Sequence, residues 1–161
     1  MKKKTNDNFY DSHRMAEIII CLIENFGEDK LIKYLLDRLI RKETDPLPPS
    51  FKSTKVVELE KKHIISLVGV PRNKLYRLNR DLSKVIVIEH GLPEGQAIKM
   101  FFEKPNRRNI ENILEDVKKN LVYITKEEHN RLKKDWRLKG KNGYYWENSY
   151  RNENIEVTNN T

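Results

Sequence analysis

Residues 120–132 read NLVYITKEEHNRL, and this stretch predicts a short strand that runs directly into a charged helix. The strand is LVYIT, in which apolar and β-branched residues follow one another without a break. Thr125 is suited to cap the helix, and Glu128 three residues later can return the contact in a capping box. His129 then lies in the first turn of that helix.

A second strand is predicted upstream, in the stretch KVIVIEHGLP at residues 84–93. Its β-branched residues run without interruption until a glycine and a proline end it, and Glu89 and His90 stand near that end. The residues between the two strands predict two short helices that are split near Pro105. We therefore expect a mostly helical α+β fold, in which two short strands and a helix pack with several flanking helices.

Apolar residues recur at helical spacing in residues 15–26 and again in residues 31–40, with a turn between them that predicts a helical hairpin. Stripes of this kind are more typical of scaffold or of a dimer surface than of a chemical site. Five segments are predicted: the hairpin (1–45), a proline-rich linker (46–54), a helical segment (55–82), the two-strand module with its helical insertion (83–135) and an aromatic, basic tail (136–161). The last four residues of the tail, TNNT, are expected to be disordered.

Residues 55–82 predict two helices joined by a short turn. Apolar positions between Val56 and Val68 favour the first helix, and Pro71 is suited to the first turn of the second. This pattern resembles a helix-turn-helix motif, whose second helix enters a groove of DNA. The second helix would present Arg72, Asn73, Lys74, Tyr76 and Arg77 to that groove.

The composition is that of a soluble and basic protein. Charged residues make up 35% of the 161 residues, and a net charge of +8 favours polyanionic partners, of which nucleic acid is the commonest. The longest apolar run, residues 18–23, is too short to span a membrane, and the basic start lacks the apolar stretch of a secretory signal. Cys21 is the single cysteine, which excludes an internal disulfide and a cysteine-built zinc site and favours a reducing cytoplasm.

The two strands and the capped helix together resemble the HNH endonuclease family, whose unit of two strands and a helix is called ββα-metal. In that family an acid-histidine pair ends one strand and a proline follows soon after, as in EHGLP here. An Asn-Leu pair opens the next strand, and a His or Asn lies in the first turn of the helix, as in NLVYITKEEHNRL. The two motifs cover residues 86–132, less than a third of the chain.

The resemblance implies hydrolysis of phosphodiester bonds with one divalent metal ion, Mg²⁺ or Mn²⁺, and no organic cofactor. It implies that His90 is the general base, since a neutral imidazole can accept a proton from water near pH 7. Glu89 and His129 would hold the metal ion, and Asn120 would orient the His90 ring through a hydrogen bond. Such a site requires Glu89, His90 and His129 to converge within about 5 Å around one position.

Three features depart from the usual pattern of the family. His90 and Asn120 are 30 positions apart, a longer gap than the compact loop that is common there, and the predicted helices occupy it. The CxxC zinc knuckles that often frame the motif are missing from the sequence, so flanking helices would have to supply the packing. Glu89 stands where the family usually has Asp, and a glycine follows His90 where a bulky apolar residue is common.

The expected substrate is double-stranded DNA, and small nucleases of this kind occur in restriction systems, phage genomes and mobile elements. A homodimer would allow two active sites to cut two strands. Two alternatives stay open: a helix-turn-helix-like regulator that does not cleave DNA, and an RNA-binding protein that stacks bases on Trp136, Tyr144, Tyr145 and Trp146. The side chains expected to contact nucleic acid are Arg72, Lys74, Tyr76, Arg77, Arg80, Lys126, Arg131, Lys133, Lys134, Arg137, Lys139 and Lys141.

Overall fold

The computed structural model describes residues 12–136 and 150–161, with the side chains of residues 133–136 excepted. Most of this part of the chain is helical, and its short strands form one mixed sheet, so the predicted α+β class is confirmed. The helices are α1 (Ser12–Phe26), α2 (Lys30–Thr44), α3 (Thr54–His63), α4 (Arg72–Leu78), α5 (Leu82–Val85), α6 (Glu94–Glu103), α7 (Arg107–Lys119) and α8 (Lys126–Trp136), and the strands are β1 (Phe51–Ser53), β2 (Ile86–His90), β3 (Leu121–Thr125) and β4 (Val157–Asn159).

The sheet has the strand order β2-β3-β1-β4, so β2 and β4 are its edges. β2 and β3 run antiparallel, with Glu89 opposite Val122 and His90 opposite Leu121. β1 is parallel to β3 and antiparallel to β4. The predicted succession of strand, strand and helix is therefore present as β2, β3 and α8, and α6 and α7 form the helical insertion between the two strands.

The hairpin of α1 and α2 packs against the inserted helices α6 and α7. Their apolar stripes meet in one core, in which Ile19, Leu36, Phe101 and Leu114 are buried. The N-terminal hairpin and the insertion therefore share a core, although the sequence assigns them to separate segments. Among the residues described, no helix is long and apolar enough to cross a membrane.

Part of the predicted linker belongs to the sheet. β1 lies between β3 and β4, and its Lys52 is buried with Nζ 2.8 Å from a carboxylate oxygen of Glu60 in α3. Ser53 is fully buried and begins α3, because its hydroxyl accepts a hydrogen bond from the Val56 amide at 3.3 Å. The structure corrects the linker prediction for these residues, since three strand residues are too few to show an alternating pattern.

The helix-turn-helix-like segment has a longer connection than that motif. α3 ends at His63, and Ile64 follows in a left-handed conformation with φ 52° and an exposed fraction of 95%. Residues 64–71 separate α3 from α4, whereas the motif joins its helices by a turn of about three to four residues. α4 has only 7 residues, of which Leu75 is buried against the sheet face that carries Ile86 and Tyr123.

The final TNNT, which the sequence predicts to be disordered, takes part in the fold. Thr158 and Asn159 belong to β4 and pair with β1. Asn160 donates from Nδ2 to the backbone carbonyls of Pro49 at 3.0 Å and Leu67 at 3.3 Å. The disorder prediction is wrong here, because polar residues can be held by backbone hydrogen bonds that composition does not reveal.

Candidate metal and nucleic-acid site

Glu89 and His129, the two residues expected to hold a metal ion, contact each other in the structure. A carboxylate oxygen of Glu89 in β2 meets Nδ1 of His129 in α8, across 40 positions of the sequence. Glu89 lies opposite Val122 in β3, on the sheet face against which Leu132 of α8 packs. Sheet pairing and helix packing together therefore place the acid and the histidine on one side of the sheet.

The first turn of α8 is fixed by the predicted capping box. The Thr125 amide donates to Glu128 Oε2 at 2.8 Å, and the Glu128 amide donates to the Thr125 hydroxyl at 3.2 Å. The same carboxylate oxygen accepts a hydrogen bond from the Ser53 hydroxyl at 2.8 Å, so β1 also holds this turn. His129 is therefore carried on a turn whose start is tied to two strands.

His90 faces the opposite side of the sheet from Glu89, because consecutive strand residues point to opposite faces. Its Nε2 lies 2.9 Å from the Thr44 hydroxyl at the end of α2, and its Nδ1 lies 3.3 Å from a carboxylate oxygen of Glu94 in α6. Only 5% of the residue is exposed. Burial, together with the positive charges of Arg41 and Arg72, lowers the pKa of His90 to about 4, so the ring is neutral near pH 7.

A half-buried polar cluster surrounds His90 and joins α2 to α6. Arg41 bridges the two helices, with its guanidinium 3.1 Å from Asp37 and 2.6 Å from Glu94. Burial raises the pKa of Glu94 to about 7, although the nearby Arg41 acts in the opposite direction. Thr44 also donates to the Ile40 carbonyl at 3.1 Å, so its hydroxyl is held in place at the His90 ring.

Asn120 does not orient His90 as the resemblance implies. Its Nδ2 donates to the Asp116 carbonyl at 3.0 Å and to Asp116 Oδ1 at 2.6 Å. Asn120 is thus the residue that caps the end of α7. Its backbone carbonyl accepts from the Gly91 amide at 2.6 Å, next to His90. The structure therefore corrects the expected side-chain contact: Asn120 fixes the backbone after His90, and the ring is positioned by Thr44 and Glu94.

The expected convergence of Glu89, His90 and His129 is also corrected. In the described part of the chain, no three His, Cys, Asp or Glu side chains are close enough together to hold a metal ion. The pair that does meet offers one oxygen and one nitrogen donor, a combination that Mn²⁺ accepts more readily than Mg²⁺. Such a pair fits an ion that takes its remaining ligands from water and phosphate oxygens.

The basic residues expected on the second helix of the helix-turn-helix-like segment are exposed on and after α4. Arg72 lies 3.5 Å from Asp45, and the Arg80 guanidinium lies 5.9 Å from the centre of the Tyr76 ring. Lys74 and Arg77 are exposed as well. These side chains are therefore accessible to a nucleic acid, although α3 and α4 are not joined as in a helix-turn-helix motif.

The remaining expected nucleic-acid contacts divide into two groups. Lys126 is exposed at the start of α8, whereas Arg131 is half-buried and donates to the Glu153 carbonyl at 3.1 Å. Arg131 thus ties the C-terminal segment to α8. The others lie beyond the side chains that the structure describes: Lys133, Lys134, Arg137, Lys139 and Lys141, and also the aromatic residues Trp136, Tyr144, Tyr145 and Trp146.

Sequence reasoning missed the residues that surround His90. Glu94 follows His90 by four positions and begins a helix after a proline, a signal that could have paired the two. Thr44 and Arg41 come from α2, which the sequence suggests only as scaffold, and nothing local connects them with β2. Only the packing of α2 against α6 brings them to the ring.

Comparisons with protein-family models, with curated proteins and with solved structures gave no match to this chain. The likeness to HNH endonucleases therefore rests on the two sequence motifs, on the succession of β2, β3 and α8, and on the contact between Glu89 and His129.

Proposed function

We propose that the protein is a divalent-metal-dependent endonuclease of the HNH type, which hydrolyses phosphodiester bonds in double-stranded DNA. The observation that carries this proposal is the contact between Glu89 and His129. The two side chains are 22% or less exposed and come from the strand and the helix that the resemblance names as sources of metal ligands. A contact between two exposed side chains would be weak support for a metal site. The contact between Glu89 and His129 is stronger support, because the sheet and the cap of α8 hold the two residues in place.

The residues of the proposed site would have different roles in hydrolysis. Glu89 and His129 would hold the divalent ion, which when bound supplies an activated water and neutralises the charge that develops on the phosphate. His90 is neutral near pH 7 and would accept the proton of the water. For this the end of β2 and the Thr44 end of α2 have to rearrange, because the His90 ring faces the side of the sheet opposite the Glu89–His129 pair and its nitrogens lie against Thr44 and Glu94.

Charge and surface support the proposed partners. The net charge of +8, with exposed cations on α4 and at the start of α8, suits the phosphate backbone of DNA. The proposed homodimer would use an exposed apolar surface around the turn of the α1–α2 hairpin, here named the hairpin patch: Phe26, Leu31, Tyr34 and Leu35. Cys21 is a free and exposed thiol, which suits the reducing cytoplasm of a restriction, phage or mobile-element nuclease.

A plasmid nicking assay with Mg²⁺ and with Mn²⁺ tests the proposal. We expect the wild-type chain to convert supercoiled plasmid to nicked circles, and Glu89→Gln or His129→Ala to abolish this because each removes a metal ligand. His90→Ala removes the base and should slow nicking roughly a hundredfold to ten-thousandfold. The measured quantity is the rate of loss of supercoiled plasmid on gels.

His63→Ala provides the matched control, because His63 is an exposed histidine in the last turn of α3 and should leave nicking unchanged. Undiminished nicking by His90→Ala would remove His90 from the role of base. Full activity of both Glu89→Gln and His129→Ala would remove the metal site on which the proposal depends.

The second candidate function is a regulator that binds DNA without cleaving it. The observation in its favour is the burial of His90, whose ring nitrogens face Thr44 and Glu94 rather than solvent. If the wild-type chain binds DNA but fails to nick it with either metal ion, this second candidate replaces the first.

A further inference from the structure

A groove runs along the free edge of β2, between α4 and the start of α8. Its volume is about 320 Å³, and its floor is the apolar edge formed by Leu75 and residues 86–88. Arg72 and Tyr76 of α4 line one part of its rim, and Lys126 of α8 lines another. The groove therefore brings together residues from two segments that the sequence treats as separate.

The charges around this groove favour an anionic occupant. Of the residues that the structure shows lining it, the charged ones are the two cations Arg72 and Lys126. Arg72 lies 3.5 Å from Asp45, with both side chains more than 40% exposed, a weak pairing that a phosphate can replace. Arg80 adds a third positive charge beside the Tyr76 ring.

Tyr76 gives the groove a surface for a base. The ring is 59% exposed although it is large and aromatic, and it stands above an apolar floor. Bases stack on such rings irrespective of sequence, because each base has a π face. The volume lies at the lower end of the range of small-ligand sites, roughly 300–1,000 Å³, and so suits one nucleoside unit rather than a duplex.

The groove is adjacent to the proposed metal ligands along both β2 and α8. Val87 lines the groove two residues before Glu89, a distance of about 7 Å along a strand. Lys126 lines it three residues before His129, about 4.5 Å along a helix axis. Both separations are short enough for a nucleotide in the groove to lie beside the Glu89–His129 pair.

We propose that this groove is a subsite for one nucleotide that flanks the scissile phosphate, with its base on Tyr76 and its phosphate held by Arg72 and Lys126. The inference rests on the proposed nuclease function, since it places the nucleotide beside the Glu89–His129 pair. An extended occupant of this size could reach the groove only as a locally unpaired or distorted strand. The subsite therefore favours DNA that is single-stranded or distorted next to the cut.

Binding measured without cleavage tests the subsite separately from the chemistry. Fluorescence anisotropy of labelled single-stranded and duplex oligonucleotides is recorded with the full chain in EDTA. Tyr76→Ala should weaken binding of the single strand roughly fivefold to a hundredfold, as expected for the loss of one stacked base. Ile64→Ala is the control, because Ile64 is a large apolar residue that is 95% exposed and does not line the groove, so this variant should bind as the wild type does.

The same assay tests the phosphate contacts of Arg72 and Lys126 and the position of the base that stacks on Tyr76. Arg72→Ala and Lys126→Ala should each lower the salt dependence of log Kd by about one unit of slope, whereas the exposed Lys99→Ala should not. An abasic site moved along the oligonucleotide should weaken wild-type binding most at one position. At that position Tyr76→Ala should add no further loss, because the stacking partner is already absent.

The outcomes separate the two proposals. If Tyr76→Ala binds single strands as tightly as Ile64→Ala, or if the abasic site weakens binding by Tyr76→Ala as much as binding by the wild type, the nucleotide subsite is overturned even where nicking occurs. If these binding losses are found but the wild type cleaves no DNA with Mg²⁺ or Mn²⁺, the groove remains a nucleotide site and the nuclease function fails.

Discussion

Two adjacent residues, Glu89 and His90, face different environments at the end of β2. The sequence identifies both as chemistry-bearing, but alternation along a strand sends one side chain toward α8 and the other toward α2 and α6. The motif therefore singled out two residues, Glu89 and His129, that contact each other, but it did not predict how His90 is surrounded. Contacts of the ring with Thr44 and Glu94 depend on helix packing, which local sequence does not encode.

The neutral, buried ring of His90 should contribute a loss of stability in mild acid. The pKa of His90 is about 4 in the folded protein, against a usual value of 6.5, so the unfolded chain binds a proton that the folded protein does not. The contribution of His90 to stability is therefore full above pH 6.5 and is lost as the pH falls toward 4, by up to about 3 kcal/mol, whereas Glu94, whose pKa is raised to about 7, contributes in the opposite direction as it takes up a proton. Urea unfolding in EDTA across this range measures it.

A His90→Gln variant supplies the control for this prediction, because glutamine keeps a polar side chain but does not titrate. As the pH falls from 6.5 to 4, its free energy of unfolding should therefore rise relative to that of the wild type, because the loss that His90 causes is absent. An identical pH dependence in the two proteins would show that another group causes the acid sensitivity.

At the level of elements, the start of α8 shows which contacts a sequence can predict. Thr125 and Glu128 are three positions apart, and the predicted capping box is confirmed by reciprocal hydrogen bonds. The third contact, from Ser53 to the same carboxylate, comes from a strand in a stretch that was predicted to be a linker. Local spacing predicts the cap, whereas its attachment to β1 requires knowledge of the sheet order.

Glu128→Ala should destabilise the protein by about 1–3 kcal/mol, because it leaves buried donors of Thr125 and Ser53 without their acceptor. Chemical denaturation monitored by circular dichroism provides the measurement. Glu127→Ala changes an exposed acid in the same turn, whose partner is the exposed Lys55, and should have little effect. Equal losses in both variants would mean that the removal of a negative charge from the first turn of α8, and not the cap, accounts for the change.

For the whole molecule, sequence reasoning predicted the fold class and most elements, but it did not predict which distant segments pack together. The apolar stripes of α1, α2 and α7 are long and regular, so their periodicity was enough to predict these helices. β1 and β4 have 3 residues each, and such strands exist only through their neighbours in the sheet. Segments that the sequence treats as separate therefore share one sheet or one helical core.

The hairpin patch predicts the behaviour of the protein in solution. Leu31 is 62% exposed beside other large apolar residues, so we expect a homodimer formed through this patch and a monomer for Leu31→Glu. Sedimentation velocity at several protein concentrations distinguishes the two. Ile64→Glu is the control, because Ile64 is a highly exposed apolar residue after α3 and should not alter the oligomeric state. A wild-type protein that sediments as a monomer at every concentration contradicts the prediction.

The position of β1 in the sheet has a consequence for how the protein is made. β1 pairs with β3 and β4, which are synthesised much later, and Asn160 returns to Pro49 across 111 positions. Contacts over such long separations form slowly, and on a ribosome they cannot form until the later segment has emerged. The cap that carries His129 is tied to β1 through Ser53. A nascent chain that ends before α8 would therefore lack the contact between Glu89 and His129, so that any cutting activity that depends on this contact would be withheld until α8 has emerged from the ribosome.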